Sequence, residues 1–158
     1  MSLENMERDV ITFAKKSDWG TKPMPDKHTK FKLERSFTEE QMNNLMKGNI
    51  PKQMEDKWFW YYEDGKLYAH RSWTGICIYI IEFNNDTGVH TVIANRNSEE
   101  YGITGIDEDL EHLNTLLNWW TQPQYDFYNE WLSETLITIK KQANNETDNE
   151  ERRICLIK

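Results

Sequence analysis

The feature that most constrains the fold is an Asp-Gly pair between two aromatic-rich stretches, in the segment DKWFWYYEDGKLYAHR. Asp-Gly favours a type I′ turn, because both central residues of that turn need a positive φ. We therefore predict a β-hairpin with Asp64 and Gly65 at the turn. The loop length sets the register, which pairs Glu63 with Lys66 next to the turn.

The two faces of this hairpin follow from the alternation of side chains along a strand. One face carries Trp58, Trp60, Tyr62, Leu67, Ala69 and Arg71, and the other carries Phe59, Tyr61, Glu63, Lys66, Tyr68 and His70. Because aromatic rings lie on both faces, we expect a covering layer on each side of the sheet.

Two further stretches extend the sheet. ICIYIIEF is apolar at nearly every position, which is typical of a central strand, and VHTVIAN follows after the turn NNDTG. The short connections predict an antiparallel four-stranded meander over residues 57–95. TKFKLER alternates apolar and charged residues and is a candidate fifth strand.

Helices are predicted before and after the meander in the sequence. ENMERDVITFAKK, residues 4–16, has a thin apolar stripe at helical spacing. Thr38 and Gln41 form a capping box at the start of a helix over 39–47. Asp107 is the expected cap of EDLEHLNTLLNWW.

A last helix follows Pro123, and its spacing predicts a buried side formed by Tyr125, Tyr128, Leu132, Leu136 and Ile139. The polar, acidic residues 143–153 should be a loose segment, and RRICLIK could add a late strand. Together these patterns predict one α+β domain over 1–158, an antiparallel meander of four to five strands covered by three to four helices.

Charge limits the possible partners. The chain has a net charge of -8, which opposes generic nucleic-acid binding, because that mode depends on neutralising phosphates with Lys and Arg. Residues 1–36 nevertheless carry eight Lys and Arg against six Asp and Glu, whereas 97–151 carry two against thirteen. A basic N-terminal face could therefore meet a phosphate-bearing ligand.

The cysteines indicate a compartment. Cys77 lies in an apolar run and Cys155 lies near the end, without a CxxC pair. With no signal peptide and no apolar run of about 20 residues, we expect a cytoplasmic protein without a membrane anchor.

The strongest candidate site is the corner HRSWTG after the hairpin. Its guanidinium can bind phosphate or carboxylate in bidentate fashion, its hydroxyls and backbone amides can donate, and its indole can stack on a ring. An anionic, ring-bearing ligand such as a nucleotide would suit such a set. The predicted ligand-binding residues are Arg71, Ser72, Trp73 and Thr74, with His70 and Trp58 in support.

A purely structural interpretation of the same residues stays open. Arg71 pairs with Trp58 across the hairpin, where a cation–π contact alone would explain it. His70 and Arg71 point to opposite faces, so they reach one ligand only if a bulge or the loop redirects one of them. Ser72 and Thr74 would then only bond the turn backbone.

Other chemistry is weakly indicated. His28, His90 and His112 lack metal-ligand spacing, and His112 is expected on a solvated helix face, so we predict no metal and no cofactor. Glu82 is the one candidate for a carboxylic acid in an apolar pocket. Cys77 should be inert, since an apolar environment raises the pKa of a thiol.

The run FKLERSFTEEQMNNLMKGNIPKQMEDKWFWYYEDGKLYAHRSWTGICIYIIEF, residues 31–83, resembles a family of uncharacterised bacterial domains. The signature MEDKWFxYYEDGKLYxHRSWTG is matched from Met54 to Gly75, with Trp60 and Ala69 at its variable positions. Related segments occur beside ADP-ribose-processing domains, so the resemblance implies an ADP-ribose or nucleotide context. It assigns no catalytic residue.

We therefore predict a small accessory or binding module for a nucleotide or ADP-ribose-like anion. One alternative is a hydrolase with His70 as general acid and base. Another is a protein-interaction domain that forms a homodimer or binds a protein partner.

Overall fold

The computed structural model describes residues 13–123, 125–136 and 139. Its elements in chain order are a 3-10 helix (Lys16–Asp18), β1 (His28–Glu34), α1 (Glu39–Lys47), β2 (Trp58–Glu63), β3 (Lys66–Arg71), β4 (Cys77–Glu82), β5 (Val89–Asn95) and α2 (Ile106–Trp120). A further helix, α3, covers 127–136. The predictions for residues 1–12, for 143–153 and for RRICLIK lie outside the described residues.

The five strands form one antiparallel sheet with the order β1-β5-β4-β3-β2, which confirms the α+β class and the meander. The hairpin register is as predicted, from Glu63 opposite Lys66 to Trp58 opposite Arg71. Asp64 and Gly65 have φ of 51° and 80°, as a type I′ turn requires. Strand β1 joins the far edge by pairing with β5.

The predicted start of α1 is confirmed. The Thr38 side chain accepts a hydrogen bond from the Gln41 amide at 3.1 Å, and the Thr38 amide donates to the Gln41 side chain at 3.0 Å. This reciprocal pair satisfies two of the amides that a helix start leaves unpaired. Met42 and Leu45 are buried on the side of the helix that faces the core.

The start of α2 differs from the prediction. The residue before the helix is Gly105, without a side-chain cap, and Asp107 lies inside the first turn. Three acidic residues in that turn, Asp107, Glu108 and Asp109, interact favourably with the helix dipole and make a capping side chain dispensable.

The sheet is covered unequally. Helices α1 and α2 bury the face with Trp58, Trp60 and Leu67. The opposite face carries a smaller cluster in which Phe59 and Tyr61 pack against Ala14, with Trp19 alongside. Residues 13–15 are not helical, so the end of the helix predicted over 4–16 is wrong; the chain there lies along the sheet and forms only a 3-10 turn.

Helix α3 presents a different side from the one predicted. Of the residues predicted to be buried, only Tyr125, just before the helix, packs against the core; Tyr128, Leu132, Leu136 and Ile139 are exposed, whereas Glu130 is only 3% exposed. The spacing argument failed because it counted apolar residues and ignored hydrogen bonding. The inward carboxylate accepts a hydrogen bond from the Trp120 indole, which removes much of the cost of burying it.

None of the helices in the described part of the chain is long and apolar enough to cross a bilayer.

Candidate functional site

The predicted site residues are divided between the two faces of the sheet. A bulge lies in the pairing of β3 with β4, where Ala69 pairs with Tyr79 and His70 with Cys77. It does not bring His70 and Arg71 together. The His70 ring stacks on Tyr61, with centroids 5.9 Å apart, and Arg71 lies on the helix-covered face.

His70 is buried, with 3% of its surface exposed. Its Nδ1 donates to the Gly75 carbonyl at 3.0 Å, and its Nε2 is buried without a hydrogen-bond partner among the described residues. Burial lowers the pKa of His70, and the charge of Lys16 lowers it further, against the Gly75 hydrogen bond. A neutral imidazole with one unused acceptor results.

Arg71 forms the cation–π contact that the hairpin register predicts. Its guanidinium carbon lies 4.4 Å from the centroid of the Trp58 ring. Trp58 is fully buried and Arg71 half-buried, so this ion is held at the rim of the core rather than in open solvent.

The remaining corner residues mainly build the turn. Trp73 is 72% exposed and its indole donates to the Met54 carbonyl at 2.9 Å. Thr74 accepts from the Ile76 amide at 3.3 Å. The Ser72 carbonyl accepts from the Trp19 indole at 2.8 Å, while the Ser72 hydroxyl is buried without a partner in the described part of the chain.

Glu82, the candidate acid, is exposed at the end of β4. It therefore does not lie in the apolar pocket that would raise the pKa of a catalytic carboxyl. Among the described residues, no group of three His, Cys, Asp or Glu side chains could hold a metal ion.

An open groove of about 670 Å³ lies beside the edge strand β2, on the face that carries His70. We call it the β2 groove. It lies between the N-terminal segment and the hairpin, and its lining includes Lys15, Lys16, Ser17, Trp19, Tyr61 and Glu63. Its lining residues thus include two with ammonium groups and several with hydroxyl groups, beside aromatic rings.

The corner HRSWTG holds the wall of the β2 groove in place. Besides the bond from Trp19 to Ser72, the Lys22 amide donates to the Gly75 carbonyl at 2.8 Å. The Trp19 ring stacks on Phe59, with centroids 6.0 Å apart. The corner therefore does not line the groove itself but holds Trp19 and the backbone of Lys22 in position.

A second polar cluster lies on the helix-covered face. The Tyr79 hydroxyl lies 2.7 Å from the Tyr101 hydroxyl and donates to Asp109 at 3.1 Å. His112 Nδ1 lies 3.0 Å from the Tyr79 hydroxyl and 2.9 Å from the Tyr101 hydroxyl. Asp109 also pairs with Arg96. His112 is thus part of a hydrogen-bonded network and not on the fully solvated face that was predicted.

Helix α3 is attached to this face by three indole groups. Trp58 donates to Glu134 at 3.2 Å, Trp119 donates to the Ser133 hydroxyl at 3.2 Å, and Trp120 donates to Glu130. The contacts join the polar side of α3 to the body of the protein.

The two glutamates of α3 differ in their environments. Burial raises the pKa of Glu130, and the charges of Glu134 and Asp56 raise it further, against the hydrogen bond from the Trp120 indole. Burial alone would also raise the pKa of Glu134, but His112, Arg71 and Trp58 outweigh it and hold the pKa below its usual range. Glu134 is therefore the anionic member.

Sequence reasoning missed the groove residues Lys15, Lys16, Trp19 and Tyr61 as a set. The excess of basic residues near the N-terminus was the available signal, but it did not show which residues face the hairpin. Glu134 and the network around His112 were also missed, because their members are far apart in the chain and meet only through tertiary packing.

A scan against protein-family models and searches of curated proteins and of solved structures found no match to this chain. The family resemblance of residues 31–83 therefore stays a prediction, and the function has to be argued from the geometry.

Proposed function

We propose that this protein is a small binding module for an anionic, ring-bearing ligand of the nucleotide or ADP-ribose class, and that the β2 groove holds the ligand. The observation that carries the proposal is the combination of Lys15 and Lys16 with Trp19 and Tyr61 in one open groove of about 670 Å³. This volume lies within the range of small-molecule sites, about 300 to 1,000 Å³.

Each part of such a ligand has a matching group in the groove. The two ammonium groups suit phosphate, and they lie in a basic N-terminal region of an otherwise acidic chain. The aromatic side chains offer a stacking surface for a base. Glu63 can accept hydrogen bonds from ribose hydroxyls, as acidic residues do in dinucleotide sites.

The predicted corner residues keep a role in this proposal. Ser72 anchors Trp19, and the neighbouring Gly75 anchors both His70 and the backbone of Lys22. Arg71 and Trp58 lie on the other face, so they do not contact a ligand in the groove.

The test is ligand-dependent thermal stabilisation with AMP, ADP, ADP-ribose and ribose 5-phosphate. Lys16→Ala should weaken binding of the phosphate-bearing ligands about ten-fold, which corresponds to about 1.4 kcal/mol. Lys30→Ala is the matched control, because Lys30 is also exposed on this face, on β1. No stabilisation by any of the four ligands, or equal effects of the two variants, would contradict the proposal.

A second candidate function, homodimerisation, is favoured by the exposed apolar stripe of α3. Tyr128, Leu132 and Leu136 recur at helical spacing and are 37–56% exposed. Sedimentation of the wild-type protein over a range of concentrations tests it. A dimer that dissociates in Leu132→Ser/Leu136→Ser supports this function, and a monomer at all concentrations rejects it.

The hydrolase alternative depends on His70. Its unused Nε2 acceptor is a feature of a general base, although its burial between Tyr61 and Phe59 limits access. Turnover that is lost in His70→Ala is the measurement that would favour it over simple binding.

A further inference from the structure

The carboxylate of Glu134 lies among groups that favour an anion. Trp58 Nε1 donates to Glu134 Oε1 at 3.2 Å, and His112 Nε2 lies 3.5 Å from the same oxygen. Arg71 is close enough for its charge to stabilise the anionic carboxylate. These three groups come from β2, β3 and α2, so the body of the protein supplies them all, whereas the carboxylate belongs to α3.

The attachment of α3 is of a kind that a ligand can replace. It uses indole hydrogen bonds to polar side chains, while the apolar stripe of the helix faces away from the sheet. A single hydrogen bond of this type contributes only modestly to stability, because folding exchanges it for hydrogen bonds with water.

Solvent can reach the position. The side chains of His112 and Glu134 are 15% and 14% exposed, and Arg71 is half-buried. A small oxyanion can therefore approach the donors once the carboxylate moves aside.

We propose that Trp58, Arg71 and His112 form a binding site for a phosphate group, and that Glu134 occupies this site as an internal substitute for the ligand. Binding of phosphate displaces Glu134 and loosens α3. This site lies on the opposite face of the sheet from the β2 groove, so the inference does not rest on the proposed function.

The test measures phosphate binding by calorimetry in Glu134→Ala, with inorganic phosphate as the probe and chloride at equal ionic strength as the reference. Removal of the internal carboxylate should lower the dissociation constant for phosphate at least about ten-fold relative to wild type. The gain should disappear in Arg71→Met/Glu134→Ala. Ser133→Ala is the matched control, since it also removes an indole contact of α3 but leaves the carboxylate in place.

Equal phosphate affinity in wild type and Glu134→Ala, or an unchanged gain without Arg71, would overturn the inference. If Glu134→Ala does not fold, hydrogen exchange on the wild-type protein decides. Phosphate should then speed exchange of the amides of residues 127–136, and should not do so in Arg71→Met. Exchange that phosphate leaves unchanged would refute the displacement of α3.

Discussion

Gly75 lies so close to Gly20 that a Cβ on Gly75 would be 2.2 Å from the Gly20 carbonyl oxygen. Gly75 also has a φ of 74°, a conformation that other residues adopt at a cost. This contact is where the corner HRSWTG meets the wall of the β2 groove.

Gly75→Ala should therefore destabilise the protein more than a positive φ alone requires. We expect a loss of about 2 to 4 kcal/mol, because both the conformation and the clash with backbone must be relieved. Urea denaturation measures the free energy of unfolding. Gly65→Ala is the control: it has a φ of 80° with open space around the glycine, and should lose only about 1 kcal/mol. Equal losses would show that the contact with Gly20 does not matter.

Replacement of Glu130 should change the pH dependence of stability. The raised pKa of Glu130 means that the folded protein binds this proton more tightly than the unfolded chain does. The stabilisation is complete below the unfolded pKa of 4.5 and is lost as pH rises through the folded pKa. Glu130 therefore contributes a loss of stability as pH increases in this range, while His70, whose pKa burial lowers, contributes a gain.

In Glu130→Gln this contribution should be absent, so stability should fall less, or rise more, with pH than in wild type, as measured by urea denaturation at several pH values between about 5 and 8. Asp56, whose pKa burial also raises, keeps its own contribution in both proteins. Glu82→Gln, at an exposed position, serves as the control and should follow wild type. The same pH dependence in Glu130→Gln as in wild type would contradict the assignment.

Tyr79→Phe should weaken the polar network around His112. The Tyr79 hydroxyl bonds Tyr101, Asp109 and His112, so its removal leaves buried groups with fewer partners. The expected cost is about 1 to 3 kcal/mol in the free energy of unfolding. Tyr128→Phe removes a hydroxyl from an exposed ring and should stay within about 0.5 kcal/mol of wild type. A neutral Tyr79→Phe would mean that water replaces these contacts.

Cys77 should be unreactive in the native protein. Burial, with a smaller effect of Glu100, raises the pKa of the Cys77 thiol to about 12, so almost no thiolate is present near neutral pH. A Cys155→Ser background isolates it. Ellman's reagent should then titrate no thiol under native conditions and one after denaturation in urea. Rapid native labelling would show that the start of β4 opens readily.

The local signals in the sequence predicted local geometry well. The Asp-Gly pair determined the hairpin register, and Thr38 with Gln41 marked the start of α1, because these depend on residues a few positions apart. The inward side of α3 could not be predicted in this way. Its orientation depends on indole donors from Trp58, Trp119 and Trp120, and two of these belong to another helix.

The sequence predicted the chemical groups of the candidate site better than their positions in the fold. Rings and cations do lie next to the corner, but the alternation along β3 separates His70 from Arg71, and each joins residues distant in the chain. Lys16 near His70 and Glu134 near Arg71 come together only when the sheet acquires its two coverings. No spacing within the corner contains that information.

Strand β1 precedes the meander in the chain but pairs with its last strand, β5. During synthesis β1 can therefore pair only after β5 has been made. Closing so long a loop makes this pairing slow. Until then the edge of β5 is an open template for pairing with other chains. Once β1 is in place, Lys30 and Lys32 give the new edge a charge that discourages aggregation.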